Sequence, residues 1–246
     1  MEVFGIDIGG TGIKGAPVDM ETGALRAERL RIPTPPGAKP RPIAEVVAEI
    51  LKQFDWHGPV GVGFPAVVRD GMVRSAANIH KKWVGTQIET LLSEATGCTV
   101  CVINDADAAG LAEMAFGAGK GRQGVVLVAT IGTGIGTALF TNGCLLPHTE
   151  FGHVEIKGVD AEKRASDMAR KLEKLSWKKW AQRLDEYLHT MEQLIWPDLI
   201  ILGGGVIKNH EKFLPLLTVE AEVVPAVLLN DAGIVGAALA AHQRVG

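Results

Sequence analysis

The sequence predicts an α/β protein in which mixed sheets are flanked by helices, and two observations lead to this prediction. Apolar runs at 3–8, 124–130 and 199–202 have the length and composition of buried strands, and each ends in a glycine-rich loop. Between them, the stretches 43–54 and 177–195 place apolar residues at the spacing of amphipathic helices. Strands and helices that follow one another in this way are typical of the α/β class.

Short local signals predict the boundaries of several elements. Asp70-Gly71 and Asn142-Gly143 predict hairpin turns. The proline-rich stretch 33–42 is expected to be a linker. A helix at 86–95 is expected to be capped by Thr86 and ended by Gly97.

The segment 160–195 is expected to contain two helices. The break between them is predicted near Leu175-Ser176, with Ser176 as the N-cap of the second helix.

The first glycine loop predicts a phosphate-binding turn. Gly10–Gly15 matches the GxGxxG fingerprint of dinucleotide-binding proteins, but that fingerprint requires a helix directly after the glycines. Pro17 and the alternating run 24–32 predict further strands instead. The expected structure is a tight turn between two strands, with Asp7 at the strand end holding a hydrated Mg²⁺. The backbone N–H groups expected to cradle phosphoryl oxygens belong to Gly9, Gly10, Thr11 and Gly12.

The same arrangement of a strand and a glycine loop occurs twice more. The second loop contains Gly132, Thr133 and Gly134, and the third contains Gly203, Gly204 and Gly205. Lys208 follows the third loop closely. Three such loops in one chain indicate phosphate binding far more strongly than a single GxGxxG match does.

Asp105 is the candidate catalytic carboxylate. It follows a predicted strand at Thr99–Ile103 and begins a run of helix-forming residues. Asp105 and Asp107 both suit the N-terminus of a helix, and that explanation accounts well for Asp107. Asp105 also lies at a strand end, where the ligands of α/β sheets bind.

Four motifs together resemble the ROK-type sugar kinases. They are Asp7-Ile-Gly-Gly-Thr11, Asn104-Asp105, Gly132-Thr-Gly134 and Glu150-Phe-Gly-His153. The likeness is greatest to the polyphosphate glucokinase branch and runs essentially from end to end. It implies an actin/hexokinase-like (ribonuclease H-like) fold with a cleft between two lobes. The lobes are expected at 1–105 and 106–230, with a C-terminal helix at about 231–246 packing back on the first lobe.

The resemblance also implies roles for individual residues. Asp105 is the general base, because a sugar hydroxyl hardly ionises at neutral pH and must lose its proton as the phosphoryl group arrives. The sugar site is expected to contain Gly63, Pro65, Asn78, Asn104, Asp105, Glu150, His153 and Glu155. Asn78 suits a turn-capping side chain equally well. Glu155 corresponds less closely, since most ROK kinases supply their last sugar-binding glutamate from beyond a zinc site.

The donor and metal assignments follow the glycine loops. Lys14 is an expected contact to the phosphate chain, because Thr11-Gly-Ile-Lys14 agrees with the polyphosphate branch. No structural zinc is expected, because no cysteine follows Cys144. Cys98 and Cys101 are predicted to be structural residues at a buried strand. The basic residues between 163 and 183 form either a solvated helix face or a track for a long anionic donor.

The expected function is transfer of the terminal phosphoryl group of inorganic polyphosphate to the 6-hydroxyl of glucose. One alternative is an ATP-dependent ROK hexokinase that acts on glucose, mannose or an amino sugar. Another is a sugar-binding regulator without a DNA-binding domain, since the first strand begins at Val3 and leaves no room for a preceding helix-turn-helix.

Composition and charge limit the partners. The 246 residues are 47% hydrophobic and 22% charged, which is ordinary for a globular protein. A net charge of −3 provides no general attraction for polyanions, so donor binding requires local groups. The N-terminus lacks the features of a signal peptide, which predicts a cytoplasmic location. A homodimer is usual in the family, and neither nucleic acid nor a membrane is expected as a partner.

Overall fold

The computed structural model describes residues 1–77 and 79–245, which fall into two compact units. The first unit contains Met1–Ala112 and the C-terminal segment that begins at Asp231. The second unit contains Glu113–Asn230. The lobes drawn from the sequence, 1–105 and 106–230, stay a prediction.

The described residues form fourteen strands and seven α-helices. The strands are β1 Glu2–Ile8, β2 Ile13–Asp19, β3 Leu30–Ile32, β4 Val60–Phe64, β5 Val68–Arg69, β6 Met72–Val73, β7 Val100–Asn104, β8 Val125–Ile131, β9 Ile135–Thr141, β10 Cys144–Leu146, β11 Glu155–Ile156, β12 Val159–Asp160, β13 Leu199–Gly203 and β14 Glu222–Pro225. The helices are α1 Pro40–Gln53, α2 Ile88–Thr96, α3 Asp105–Phe116, α4 Ala161–Ala165, α5 Asp167–Leu172, α6 Trp177–Ile195 and α7 Ala232–Val245.

The sheet of the first unit has the strand order β3-β2-β1-β4-β7. Strands β1, β4 and β7 are parallel, whereas β2 is antiparallel to β1 and β3 is antiparallel to β2. The carboxyl ends of β1, β4 and β7 therefore lie along one edge of the sheet. This edge carries the loop after β1 and the start of α3.

The two faces of this sheet differ because large and small residues alternate along β1 and β4. Phe4, Ile6 and the apolar side of α1 belong to one buried cluster. On the other face, a Cβ atom at Gly5 would collide with the carbonyl of Ile234, and one at Gly61 with that of Ala237. The glycines therefore allow α7 to lie directly against the strands, on the face that also carries Asp7.

The sheet of the second unit repeats the topology of the first, with the order β10-β9-β8-β13-β14. Strands β8, β13 and β14 are parallel, and β9 and β10 continue as antiparallel strands. Its core joins sheet residues such as Leu127 and Ile200 to Trp180, Leu184 and other buried residues of α6. The glycine loops after β8 and β13 consequently lie at the same sheet edge.

Several turns form as the sequence predicts. Asp70 and Gly71 have φ angles of 55° and 71° and join β5 to β6. Asn142 and its following glycine have φ angles of 49° and 79° and join β9 to β10. Gly97 ends α2 in the left-handed conformation. Asn-Gly and Asp-Gly pairs tolerate positive φ at both central positions, which explains why these turns are predictable.

Other local predictions are wrong. The predicted cap Thr86 donates its hydroxyl to the carbonyl of Lys82, and α2 begins two residues later. Pro40, assigned to a linker, begins α1, where a missing backbone N–H removes no helical bond. The run 24–32 forms only the short strand β3 and a single bridge at Leu25.

The segment 160–195 contains three helices rather than two. Ser176 caps α6 as predicted, with its hydroxyl accepting the N–H of Lys179. An additional break occurs at Ser166, which caps α5 in the same way. Within the described ranges, no helix combines the length and apolar character needed to cross a membrane.

Candidate functional site

Three sequence-predicted positions of the first unit lie along one sheet edge. Asp7 pairs in register with Gly63 of β4, and Phe64 pairs with Asn104 of β7. Asp105 follows Asn104 directly and is the first residue of α3. Strands β1 and β7 are two strand spacings apart, or about 10 Å. The carboxylates of Asp7 and Asp105 therefore lie near the ends of two strands at the same sheet edge.

Asn104 contributes a cap to α3, and Asp105 Oδ1 also accepts the N–H of Ala106 at 2.9 Å. Asn104 Oδ1 accepts the N–H of Ala106 at 2.8 Å and that of Asp107 at 3.1 Å, while its Nδ2 donates to the carbonyl of Ala66 at 3.4 Å. Asp107 is 1% exposed, whereas Asp105 is only partly buried. Asn104 therefore takes part in capping α3, and its predicted contact with a sugar remains a prediction.

The first glycine loop lies beside an ion pair. Lys14 is the cross-strand partner of Asp7, and its Nζ lies 3.0 Å from Asp7 Oδ2. The turn is closed by the N–H of Gly9, which donates to the carbonyl of Gly12 at 3.1 Å. In the part of the chain that the structure describes, no acceptor is found for the N–H groups of Gly10, Thr11 and Gly12. These N–H groups can therefore donate hydrogen bonds to a bound anion.

The other predicted sugar positions of the first unit follow β4. Gly63 lies in the strand, and a Cβ atom added there would lie 3.7 Å from the carbonyl oxygen of Gly233. Pro65 follows the end of the strand. Asn78 lies outside the described residues. Gly63 and Pro65 thus share the sheet edge with Asp7 and Asn104.

The second and third glycine loops are neighbours in the second unit. Gly203 of β13 pairs with Thr130 of β8, one residue before the end of that strand. Gly204 has a φ angle of 82°, and a Cβ atom there would collide with the backbone of Ile131. The loop Gly132–Gly134 is closed by a 3.0 Å bond between its first N–H and its last carbonyl. Both loops therefore present backbone groups at one place, and Gly204 permits their close approach.

The Glu150–His153 segment is a single 3-10 turn held against β9. The hydroxyl of Thr137 donates to the carbonyl of Thr149 and accepts the N–H of Phe151. A Cβ atom at Gly152 would collide with the carbonyl of Ile135. The glycine of this motif is therefore required for the turn to lie directly on the strand, next to the second glycine loop.

The imidazole of His153 lies between two carboxylates. Nε2 is 3.7 Å from Glu150 Oε2, and Nδ1 is 3.9 Å from Glu162 Oε1. Burial raises the pKa of Glu150 above its ordinary value, His153 lowers it, and the charge of Glu162 raises it further. The cluster combines carboxylate acceptors with an imidazole donor, which suits the hydroxyl groups of a sugar.

Glu162 is a candidate site residue that the sequence analysis does not identify. It lies in α4, its side chain is 16% exposed, and its Oε2 accepts the N–H of Ile135 at 3.4 Å. The predicted Glu155 lies in the exposed hairpin formed by β11 and β12. No local signal distinguishes Glu162 from other acidic residues in a helical first turn, because its position depends on contacts with β9.

The basic residues between 163 and 183 mostly pair with acids of the same unit. Lys163 pairs with Asp160, Arg164 with Glu186, Arg170 and Lys171 with Asp167, and Arg183 with Glu173. Most of these positive charges are therefore compensated within the unit, and a donor track along this surface stays a prediction. Lys208 lies apart from it, exposed in the 3-10 segment after the third glycine loop.

The residues around Asp7 fit a metal ion that arrives with a phosphate donor. Mg²⁺ usually binds one or two protein carboxylates together with substrate phosphates and water. Asp7 provides one carboxylate beside the first glycine loop. Over residues 1–77 and 79–245, no group of three or more His, Cys, Asp or Glu side chains is arranged to hold a metal by itself.

Comparisons with known proteins agree with this arrangement. A family model described as the ROK family matches residues 3–168. The chain is 49% identical over 238 residues to the polyphosphate glucokinase of Mycobacterium tuberculosis (strain CDC 1551 / Oshkosh), covering 96% of this chain and 90% of the relative.

Solved structures extend the likeness to the whole fold. The inorganic polyphosphate/ATP-glucomannokinase from Arthrobacter sp. strain KM matches with a TM-score of 0.96 and 48% identity over 99% of both chains. A ROK family glucokinase from Streptomyces griseus, in complex with glucose and AMPPNP, matches with a TM-score of 0.83 and 25% identity over 99% of this chain and 100% of the other. These matches confirm the predicted α/β fold of the actin/hexokinase type. The chain belongs to the ROK family.

Proposed function

We propose that this protein is a polyphosphate-dependent glucokinase, which transfers the terminal phosphoryl group of inorganic polyphosphate to the 6-hydroxyl of glucose. The observation that carries the proposal is the 49% identity, over 96% of the chain, to a protein named polyphosphate glucokinase. The geometry of the two units supports the same reaction class.

The glycine loops are the proposed donor-binding elements within each unit. In the first unit, the loop Gly9–Gly12 supplies backbone N–H groups, and Lys14 supplies a positive charge next to Asp7. In the second unit, the loops Gly132–Gly134 and Gly203–Gly205 supply further N–H groups, with Lys208 close to the latter. Backbone donors and lysines are suited to a donor that consists of phosphates only.

Mg²⁺ is the proposed cofactor, held by Asp7 together with donor oxygens. When bound, the ion neutralises negative charge on the phosphates and so favours attack by an alcohol oxygen. Asp7 would hold the metal beside the loop, and Lys14, which pairs with Asp7 in the structure, would then be released toward the donor.

The acceptor requires a proton acceptor and groups that hydrogen-bond its other hydroxyls. Asp105 accepts the proton of the 6-hydroxyl as the phosphoryl group is transferred, which a carboxylate within hydrogen-bond reach can do. Glu150, His153 and Glu162 hydrogen-bond the other hydroxyls, because their carboxylates accept and the imidazole donates. Asn104 and the backbone at Gly63 and Pro65 complete the proposed sugar contacts.

ATP is a second candidate donor, and a specific observation favours it. The Arthrobacter relative, at 48% identity, is described as using polyphosphate or ATP, and the Streptomyces relative was solved with AMPPNP. Glucose, mannose and amino sugars differ at one or two positions of the ring, so the proposed sugar contacts do not separate them.

The donor assignment is tested by assaying the purified protein with glucose, Mg²⁺ and either long-chain polyphosphate or ATP. We expect glucose 6-phosphate to form with polyphosphate. Product from ATP alone would overturn the donor assignment, and no product with either donor would overturn the kinase assignment.

A homodimer and a cytoplasmic location are proposed by analogy with the family. Size-exclusion chromatography with light scattering tests the homodimer, and cell fractionation tests the location.

The role of Asp105 is tested by Asp105→Asn, which keeps the side-chain shape but removes the proton acceptor. Turnover is expected to fall by at least ~10², whereas the affinity for glucose changes by less than about tenfold. Asp55→Asn, at a carboxylate with 97% side-chain exposure, is the matched control. Full activity of the Asp105 variant would show that the base is another group.

A further inference from the structure

The first glycine loop is held from one side by two side chains that belong to β3 and the residues after it. The hydroxyl of Thr34 donates to the carbonyl of Gly9 at 2.5 Å. The guanidinium of Arg31 donates to the carbonyl of Thr11 at 2.8 Å. The peptide units Gly9–Gly10 and Thr11–Gly12 are thus bonded to these two side chains, the Arg31/Thr34 pair.

The orientation of these carbonyls determines where the loop's N–H groups point. In a trans peptide the C=O and the N–H of the same unit point in opposite directions. No cis peptide occurs in the described chain. The N–H groups of Gly10 and Gly12 therefore point away from the Arg31/Thr34 pair. A Cβ atom added at Gly10 would have nothing within 4 Å, so the space next to this residue is open.

Arg31 differs from the neighbouring arginines in its charge environment. Arg26 pairs with Asp19, and Arg29 pairs with Asp231. Across residues 1–77 and 79–245, no carboxylate lies within ion-pairing distance of Arg31, whose bonded partner is a neutral carbonyl. The guanidinium of Arg31 also lies directly against Gly12, where an added Cβ atom would be 2.6 Å from Arg31 Nε.

Arg31 is the cross-strand neighbour of Lys14, which is in turn the neighbour of Asp7. One face of the sheet thus carries a carboxylate and two cations in adjacent strands. Lys14 is compensated by Asp7, so the net positive charge next to the loop comes from Arg31.

We propose that Arg31 and Thr34 are positioning residues for the phosphoryl donor. They hold the carbonyls of Gly9 and Thr11 so that the N–H groups of Gly10 and Gly12 face the donor phosphate. Arg31 adds an uncompensated positive charge at short range. The inference deepens the proposed function and rests on it, because it requires that the loop bind a phosphate chain.

The test compares variants that remove or retain each bond. Thr34→Val and Arg31→Met remove the donors, while Thr34→Ser and Arg31→Lys retain a donor at each position. We measure KM for polyphosphate, KM for glucose and kcat, together with calorimetric binding of tripolyphosphate in the absence of glucose. Arg29→Met is the matched control, because that residue pairs with an aspartate and does not bond the loop.

Thr34→Val and Arg31→Met are each expected to weaken tripolyphosphate binding and to raise KM for polyphosphate by about two- to tenfold, with KM for glucose unchanged. Thr34→Ser should restore donor binding. Arg31→Lys should restore most of it through its charge. The double variant should lose less than the product of the single effects, because both bonds hold one loop.

Other results separate the two proposals. If the wild-type protein neither binds tripolyphosphate nor uses polyphosphate, the proposed function fails and this inference with it. If the wild-type protein is active but the variants only lower the melting temperature, with unchanged donor KM and tripolyphosphate binding, the positioning role is wrong and the proposed function stands.

Discussion

Replacing Glu113 is predicted to destabilise the second unit. Its side chain is 1% exposed. Oε1 accepts the N–H groups of Val227 at 3.0 Å and Leu228 at 2.8 Å, and Oε2 accepts that of Ala118 at 2.9 Å. Glu113→Ala removes the acceptor for three backbone donors at once.

The size of the effect follows from these three bonds. A hydrogen bond to a charged group contributes about 1.5–3 kcal/mol, and a buried donor left unbonded costs about 1–3 kcal/mol. At the lower part of these ranges for each of the three donors, we expect a loss of about 3–5 kcal/mol for Glu113→Ala. Glu113→Gln should cost about 2 kcal/mol, since one oxygen remains but the amide NH₂ must face a backbone N–H.

Urea unfolding followed by circular dichroism measures the loss. Glu220→Ala, at an exposed position of the same unit, is the control and should change the free energy of unfolding by less than about 0.5 kcal/mol. A loss below about 1 kcal/mol for Glu113→Ala would refute the reasoning, because it would show that the three N–H groups do not depend on this carboxylate.

Two other predictions concern the sugar cluster and the core. Glu162→Gln removes a negative charge that raises the pKa of Glu150. In a plot of kcat/KM for glucose against pH, the rise on the acidic side should therefore move to lower pH. A rise at unchanged or higher pH would contradict this reasoning. Tyr187 is fully buried, its hydroxyl has no hydrogen-bond partner in the described chain, and burial raises its pKa. Tyr187→Phe should therefore raise the free energy of unfolding by about 1 kcal/mol in urea titrations, and a loss of stability would count against it.

Features that depend on a few consecutive residues are predictable from the sequence. The Asp70-Gly71 and Asn142-Gly143 turns form because these residues accept positive φ. Ser176 begins α6 as expected, because its hydroxyl can accept a backbone N–H three residues later. The strands before the glycine loops are equally local, since each is a short apolar run bounded by glycine.

Predictions fail where a second segment competes for the same group. Thr86 has the composition of a helix cap, but its hydroxyl bonds the carbonyl of Lys82 in the preceding turn. Asn104 has a capping role that the sequence analysis does not assign to it, because its side chain accepts the N–H of Ala106 and donates to the carbonyl of Ala66. Such choices depend on the geometry of neighbouring elements.

The amino-acid sequence by itself determined the fold class, the three glycine loops and the motifs that carry the ROK resemblance, because each of these is encoded within a few adjacent residues. Only the tertiary structure revealed Glu162 beside His153 and Arg31 beside Gly12. In both cases a side chain bonds a backbone group of a distant segment. Every residue other than proline carries the same backbone N–H and carbonyl, so the sequence does not indicate which of them a distant side chain will bond.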